Sequence, residues 1–318
     1  MRKLNSWLDI TVFAFIVALI PQVTSSGVVL NFVMMALYAA LMAQAWNILG
    51  GFGGQFSFGH ALFFGTGAYF QAIAQMQFGL SPWLALALAI IAGALVALFI
   101  GALSFRYGLK GSYFALVTLA FAEVFRILAT SVQFTGGGVG LMVPLKPSFE
   151  NMQFTSRTGY IYLVLCLVVL ALAVTRWLKQ SRFGAYLQAV RDNEDAARAI
   201  GVNPFKVKLT AISLSAAFMA AAGAFYVQVF QYIDPSIAYG SHTSVEALVA
   251  AIVGGLGTVW GPLLGALALH LLADVTRNLF GTLPGINMVI YGLVLLFIVM
   301  FSPKGIAGLA NHFKRNSK

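Results

Sequence analysis

Charge is what this 318-residue chain has least of: Asp, Glu, Lys and Arg together make up 9% of it, against about 25% in a typical soluble domain. With so few charges beside 60% hydrophobic residues and a mean hydropathy of +0.88, the apolar side chains cannot all find a protein interior. That excludes a soluble globular protein and leaves a polytopic membrane protein. Cysteine is nearly absent too, Cys166 alone lying in an apolar run, which excludes a disulfide framework or a cysteine metal cluster. There is no G-x-x-x-x-G-K-S/T phosphate loop and no G-x-G-x-x-G turn anywhere, so the chain carries no recognisable nucleotide site of its own. No nucleophile with a base and no metal-ligand cluster occurs at usable spacing, which leaves an intramembrane enzyme without a mechanism.

What is present is a series of long apolar windows. A hydrocarbon core of about 30 Å needs roughly 20 apolar residues per helix, and ten windows approach that, near 8–25, 28–49, 57–77, 82–105, 112–131, 159–178, 207–231, 244–258, 262–280 and 286–303. The eighth is short and runs into Gly254, Gly255, Gly257, Gly261 and Pro262, so 244–280 is read as two helices or one broken re-entrant pair. The expected fold is all-α: a single transmembrane domain over 1–318, a bundle of about 8 to 10 membrane helices. With the N-terminus inside, the inner loops hold 15 of the 19 basic residues, all but Arg126, Lys146, Arg157 and Arg277. The positive-inside rule therefore places both termini in the cytoplasm. Trp7, Trp46, Trp83, Trp177 and Trp260 all lie near predicted span ends, where indole rings favour the headgroup level. Arg2 and Lys3 before an apolar stretch resemble a signal peptide, but removing the first span would put every basic loop on the wrong side.

The longest inner segment, 179–206, holds a polar stretch, Tyr186 to Ile200, of helical composition, closed by Gly201 and Pro204. Glycine after the last turn and proline soon after form a helix stop, so this stretch reads as a helix on the membrane surface, suited to docking. Ala196, Ala197 and Ala199 would let a partner approach the backbone, while Arg191, Asp192, Glu194, Asp195 and Arg198 would fix orientation; a plain solvated loop helix is the alternative. Five glycines among residues 50–59 precede Gln55, Ser57 and His60 or surround them. Irregular backbone at membrane depth is tolerated where it lines a cavity, and a half-helix starting near Ser57 would aim its amide dipoles at an anion. Gln55, Ser57 and His60 are thus candidates for a translocation path, or alternatively the glycines serve close packing and His60 bonds a neighbouring helix. Glu123 and Arg126 share a helical face inside a span; an ion pair facing the bundle interior is expected, with Glu123 also a candidate for the path. Gly257, Gly261 and Gly265, and more loosely Gly93, Ala97 and Gly101, have the spacing of helix-packing faces. The 131–158 loop is the longest outer connector, and the basic tail 304–318 suits anionic lipid.

The run Glu194-Asp195-Ala196-Ala197-Arg198-Ala199-Ile200-Gly201 resembles the coupling-helix motif of ABC importer permeases. Together with GQFSFGHALFFGTGAY (54–69), GSYFALVTLAFAEVFR (111–126), TGGGVGL (135–141) and GGLGTVWGPLLGA (254–266), it makes the chain from about 50 to 305 resemble the permease family for branched-chain amino acids. The resemblance implies a subunit in a bacterial inner membrane, working by alternating access with a homologous second permease, two cytoplasmic ATP-binding subunits and an extracytoplasmic substrate-binding protein. It implies no cofactor on this chain, ATP and Mg²⁺ belonging to the partner ATPases, and coupling through Glu194, Asp195, Ala196, Ala197, Arg198, Gly201 and Pro204. Urea, amides or aromatic acids are substrates within the same resemblance. An ion-coupled secondary transporter is the competing class, though a relay normally needs more carboxylates than Glu123 and Glu246. Nothing supports nucleic-acid binding.

The orientation is testable with a membrane-impermeant thiol reagent in a Cys166→Ala background. Asp195→Cys should label only from the inner face and Lys146→Cys only from the outer; the reverse pattern would overturn the topology.

Overall fold

The computed structural model describes residues 5–280, 285–286, 289–290, 292–293, 296 and 305–308. Nine of the ten apolar windows are helices in it: α1 (Asn5–Val23), α2 (Gly27–Asn47), α3 (His60–Met76), α4 (Pro82–Arg106), α5 (Gly111–Ser131), α6 (Arg157–Gln180), α9 (Pro204–Phe230), α11 (Ser241–Gly254) and α12 (Gly261–Phe280). The window 286–303 lies mostly outside the described residues. The polar segment between α6 and α9 forms α7 (Arg182–Asp192) and α8 (Glu194–Ala199), and a single turn, α10 (Pro235–Tyr239), precedes α11. Five described helices are long and apolar enough to cross a membrane: α2 with its extension to Phe52, α4, α5, α6 and α9. The chain is therefore an all-α membrane bundle. At 17 and 14 residues, α3 and α11 span only about 26 and 21 Å, and α3 begins inside the bundle at the buried His60.

α9 is the axis of the packing. Without a hydrophobic force between helices in lipid, close van der Waals contact between small residues has to hold them together. A Cβ on Gly67 would sit 2.1 Å from the Ala220 carbonyl oxygen, one on Gly223 2.0 Å from that of Phe64, and one on Gly93 2.4 Å from the Ala220 methyl. α3 and α4 thus press on α9 from two sides. The loose series Gly93, Ala97 and Gly101 packs here, Gly101 against Ile212. α2 is buried continuously from Ala36 to Gly53, as befits an apolar helix surrounded by others. α11 and α12 form a hairpin in which Gly261 and Gly265 abut Gly254 and Ala250. Gly257 belongs instead to the connecting turn at φ 68°, so the glycine that α12 meets is Gly254.

Contacts place the ends of the elements. Asp9 pairs with Arg176 and accepts from Trp260 Nε1 at 3.0 Å, Lys110 and Lys208 meet at Glu194, and Gly305 lies against the Gly254–Gly255 backbone. One end of the bundle, called here the basic end, therefore gathers the start of α1, the α4–α5 and α11–α12 turns, α7, α8 and the described piece near 305. At the other end, the 132–156 connector is ordered: β1 (Leu141–Met142) pairs antiparallel with β2 (Tyr232–Ile233), and Trp83 donates to the Phe149 carbonyl at 2.9 Å. Trp46 departs from the headgroup expectation. It is fully buried and donates to the Ser57 carbonyl at 2.9 Å, because α2 runs on past it as a π-turn, Ile48–Phe52.

Gly223→Val should abolish folded protein on size-exclusion chromatography in detergent, since the methyls would meet backbone that cannot retreat. Gly27→Ala, with open space around its Cα, should elute and melt like the parent.

Candidate functional site

Three constructions could carry function, and the first is the polar layer at the basic end. Tyr186 to Ile200 is not one helix: α7 ends at Asp192, and Asn193 starts α8, its side-chain oxygen accepting from the amides of Asp195 (3.1 Å) and Ala196 (3.0 Å). Asn before acidic residues is a strong N-cap pattern, with Glu194 and Asp195 at the positive end of the short helix and Arg198 at its negative end. Gly201 at φ 87° closes α8 in the left-handed region that glycine enters most readily. Asn203 then caps α9, with Pro204 at its first position. The alanines face different ways. Ala196 and Ala199 are exposed, whereas Ala197 is buried against the chain itself, so the outward face consists of Asp195, Ala196, Arg198, Ala199 and Ile200.

α8 is fastened by an ion cluster. Glu194 meets Lys208 at 2.6 Å, Lys110 at 3.0 Å and Arg198 at 3.3 Å. The Lys208 side chain is 4% exposed and lies 5.6 Å from the Phe105 ring centre. Burial pushes the Glu194 carboxyl up, but hydrogen bonds from Lys208 and Lys110 outweigh it and hold it below the usual carboxylate range. The cluster is therefore intact at neutral pH and loosens only as acid titrates Glu194.

The second construction is a break in α2 that couples this layer to the spans. The π-turn Ile48–Phe52 is followed by irregular backbone to Gly59, and α3 starts at His60, three residues beyond the expected Ser57. Arg191 Nη1 of α7 donates to the Gly51 carbonyl at 3.1 Å, and its stem packs on Gly54. Asn47 receives the Gly257 amide at 2.8 Å and donates to the Thr258 carbonyl at 3.0 Å; Gln44 donates to the Val259 carbonyl at 2.6 Å. α7, the π-turn and the α11–α12 turn are thereby one hydrogen-bonded unit. Deeper in, Ser215 donates its only proton to the Ala45 carbonyl at 2.6 Å, so the 2.9 Å contact with His60 is a donation from His60 Nε2. The Ala61 amide donates to Ser244 at 2.7 Å. Gln55, Ser57 and His60 are all buried; the Ser57 carbonyl accepts from Trp46 of α2, His60 joins α3 to α9, and Gln55 donates locally to the Gly53 carbonyl.

The third is the α5 face. Glu123 and Arg126 form a bidentate pair, at 2.5 and 2.9 Å. It does not face the bundle interior: the side chains are 51% and 35% exposed on a helix that also exposes Leu116, Leu119, Val124 and Ile127. Ionised groups at mid-span cost roughly 2.5–3.5 kcal/mol each even on lenient insertion scales, so a charge pair within a span is costly to leave against lipid. The side chain of Arg277 and most of the basic tail fall outside the described residues.

Sequence reading missed Gln44, Asn47, Lys110 and Lys208. For Gln44 and Asn47 a signal existed, two amides close together near the end of an otherwise largely apolar window.

Comparison with known proteins decides the family. The model of the branched-chain amino acid transport system permease component matches residues 28–299. The chain belongs to that family. The high-affinity branched-chain amino acid transport system permease protein LivM of Escherichia coli K12 is 29% identical over 92% of this chain and 74% of its own length. LivM of Salmonella typhimurium is 29% identical over 90% and 71%. LivH of Salmonella typhimurium, a permease protein of the same kind of system, is 26% identical over 85% and 91%. No solved structure matches the chain significantly.

Glu194→Gln, which leaves Lys208 buried without a full counter-charge, should cost roughly 3 kcal/mol of stability, seen as a lowered melting temperature in detergent. Adding Lys208→Met should recover most of the loss; no recovery would show that the cluster is not what holds α8.

Proposed function

We propose that this permease component carries branched-chain or related amino acids across a bacterial inner membrane as one half of an ATP-driven importer. Family membership and the branched-chain amino acid transport systems to which the LivM and LivH relatives belong support the substrate class. The observation that carries the mechanism is the fastening of α7 to the span ends through Arg191 and Gly51. A surface helix pair that merely bridged two spans would need no such link.

In this reading the basic end is cytoplasmic, and the exposed residues of α8 dock on an ATP-binding subunit. ATP binding shifts α7 and α8. Arg191 passes the shift to the π-turn, and Asn47 and Gln44 pass it to the α11–α12 turn, so the ends of α2, α11 and α12 move as a block. The glycine-lined contacts of α9 with α3 and α4 give the fulcrum. α3, which begins within the bundle, and α11 shift against α5, whose exposed face meets the second permease and borders the path. An external binding protein delivers the substrate to the outer end. No step requires chemistry on this chain: it converts a push at one end into an opening at the other.

The test is purification of the tagged chain from its host in mild detergent, followed by reconstitution. Two ATP-binding subunits and a second permease should copurify, and uptake of L-leucine should require ATP and the binding protein. A chain that purifies alone and transports on an ion gradient without ATP would replace this reading with a secondary transporter. Within an active complex, Arg191→Gln should leave assembly and ATP hydrolysis near the parent level while lowering uptake per ATP at least fivefold; unchanged coupling would remove Arg191 from the transmission path.

A further inference from the structure

The Glu123–Arg126 pair sits in the second half of α5, 13 and 16 residues into a 21-residue helix, with Gly59 packed against the Thr118 carbonyl about one turn below. Beside it, toward α10 and α11, lies a groove of about 540 Å³, within the size range of small-molecule sites. Its floor is apolar and aromatic, formed by Leu119, Ala122 and Tyr239, with Tyr239 stacked on Tyr69 at 5.7 Å. Arg126 commits Nε and Nη2 to Glu123, so Nη1 takes no part in the pair, and each carboxylate oxygen keeps a second acceptor site. A charge pair in a span has to face protein, water or a polar ligand, and among the described residues nothing covers it.

We propose that Glu123 and Arg126 are the headgroup subsite for a zwitterionic α-amino acid on its way through the membrane. This rests on the reading that the α5 face borders the path. Glu123 takes the substrate ammonium and Arg126 its carboxylate, while an aliphatic side chain lies on Leu119, Ala122 and Tyr239. Site and ligand are each neutral overall, so their complex is four alternating charges and no net charge enters the low-dielectric region. A keto acid or an amine would bring one uncompensated charge, and a sugar or an amide could not engage both partners ionically. When empty, the pair closes on itself, which keeps both groups satisfied between transport cycles.

The experiment uses the reconstituted complex with its binding protein and L-leucine. E123Q and R126Q should each lower the maximal uptake rate at least tenfold, with the half-saturating concentration of loaded binding protein and copurification of the second permease unchanged. The exchange E123R/R126E keeps an ion pair but inverts it relative to the apolar floor, and uptake should stay low. Wild-type uptake by the exchange or by E123Q/R126Q would overturn the proposal in favour of a structural pair, and loss of the second permease from E123Q/R126Q would assign the pair to the subunit interface instead. If the unaltered complex imports an amide or a sugar under ATP but not L-leucine, the permease reading stands and the subsite's ligand class falls.

Discussion

Backbone that leaves a helix inside a membrane has no water to satisfy it, so every break must be paid in side-chain hydrogen bonds. Two breaks govern this molecule, the stretch from the π-turn to Gly59 and the turn from Gly255 to Trp260. Trp46, Asn47, Gln44 and Arg191 supply bonds to them, reaching the carbonyls of Ser57, Thr258, Val259 and Gly51. The repair also fixes the architecture, because its donors come from α2 and α7 and its acceptors from the π-turn, the irregular stretch before α3 and the α11–α12 turn. The first break lets α3 begin within the bundle and the second turns α11 into α12, and the bonds that mend them tie the surface layer to the spans.

The same economy shows in the charges. Glu194 faces Lys208, Lys110 and Arg198, and Asp9 joins Arg176 to Trp260, so two of the nine acidic residues anchor much of the basic end. Removing one partner from such a cluster is far costlier than replacing both with apolar groups. Glu123 and Arg126 follow another logic. Their pair is satisfied yet uncovered by the described residues, which suits the α5 face to something other than lipid.

Much of this was legible in the residues. Apolar windows located nine helices because membrane spans are defined by length and hydropathy alone, and the Glu123–Arg126 spacing located an ion pair. The facing of that pair was not legible, since the moment of a span does not separate lipid from a partner subunit. Trp46 was misplaced because α2 continues as a π-turn that no periodicity announces. Ala197 turned inward because Asn193 restarts the helix and rotates the alanines; the N-cap pattern was there, but helical composition on both sides concealed it. Gly257 has the spacing of a packing face and the backbone of a turn, a difference that only φ reveals. The pairing of β1 with β2 joins segments about 90 residues apart, with two-residue strands too short to carry a pattern.

The central claim is that α7 and the α11–α12 turn move as one body when ATP binds. Spin labels at Tyr186→Cys and Leu256→Cys in a Cys166→Ala background, paired in turn with Leu145→Cys at the opposite end, measure it directly in the assembled complex. The account predicts that the 186–256 distance stays constant between nucleotide-free and ATP-bound states while 186–145 and 256–145 both change. A 186–256 distance that changes while 256–145 stays fixed would contradict it.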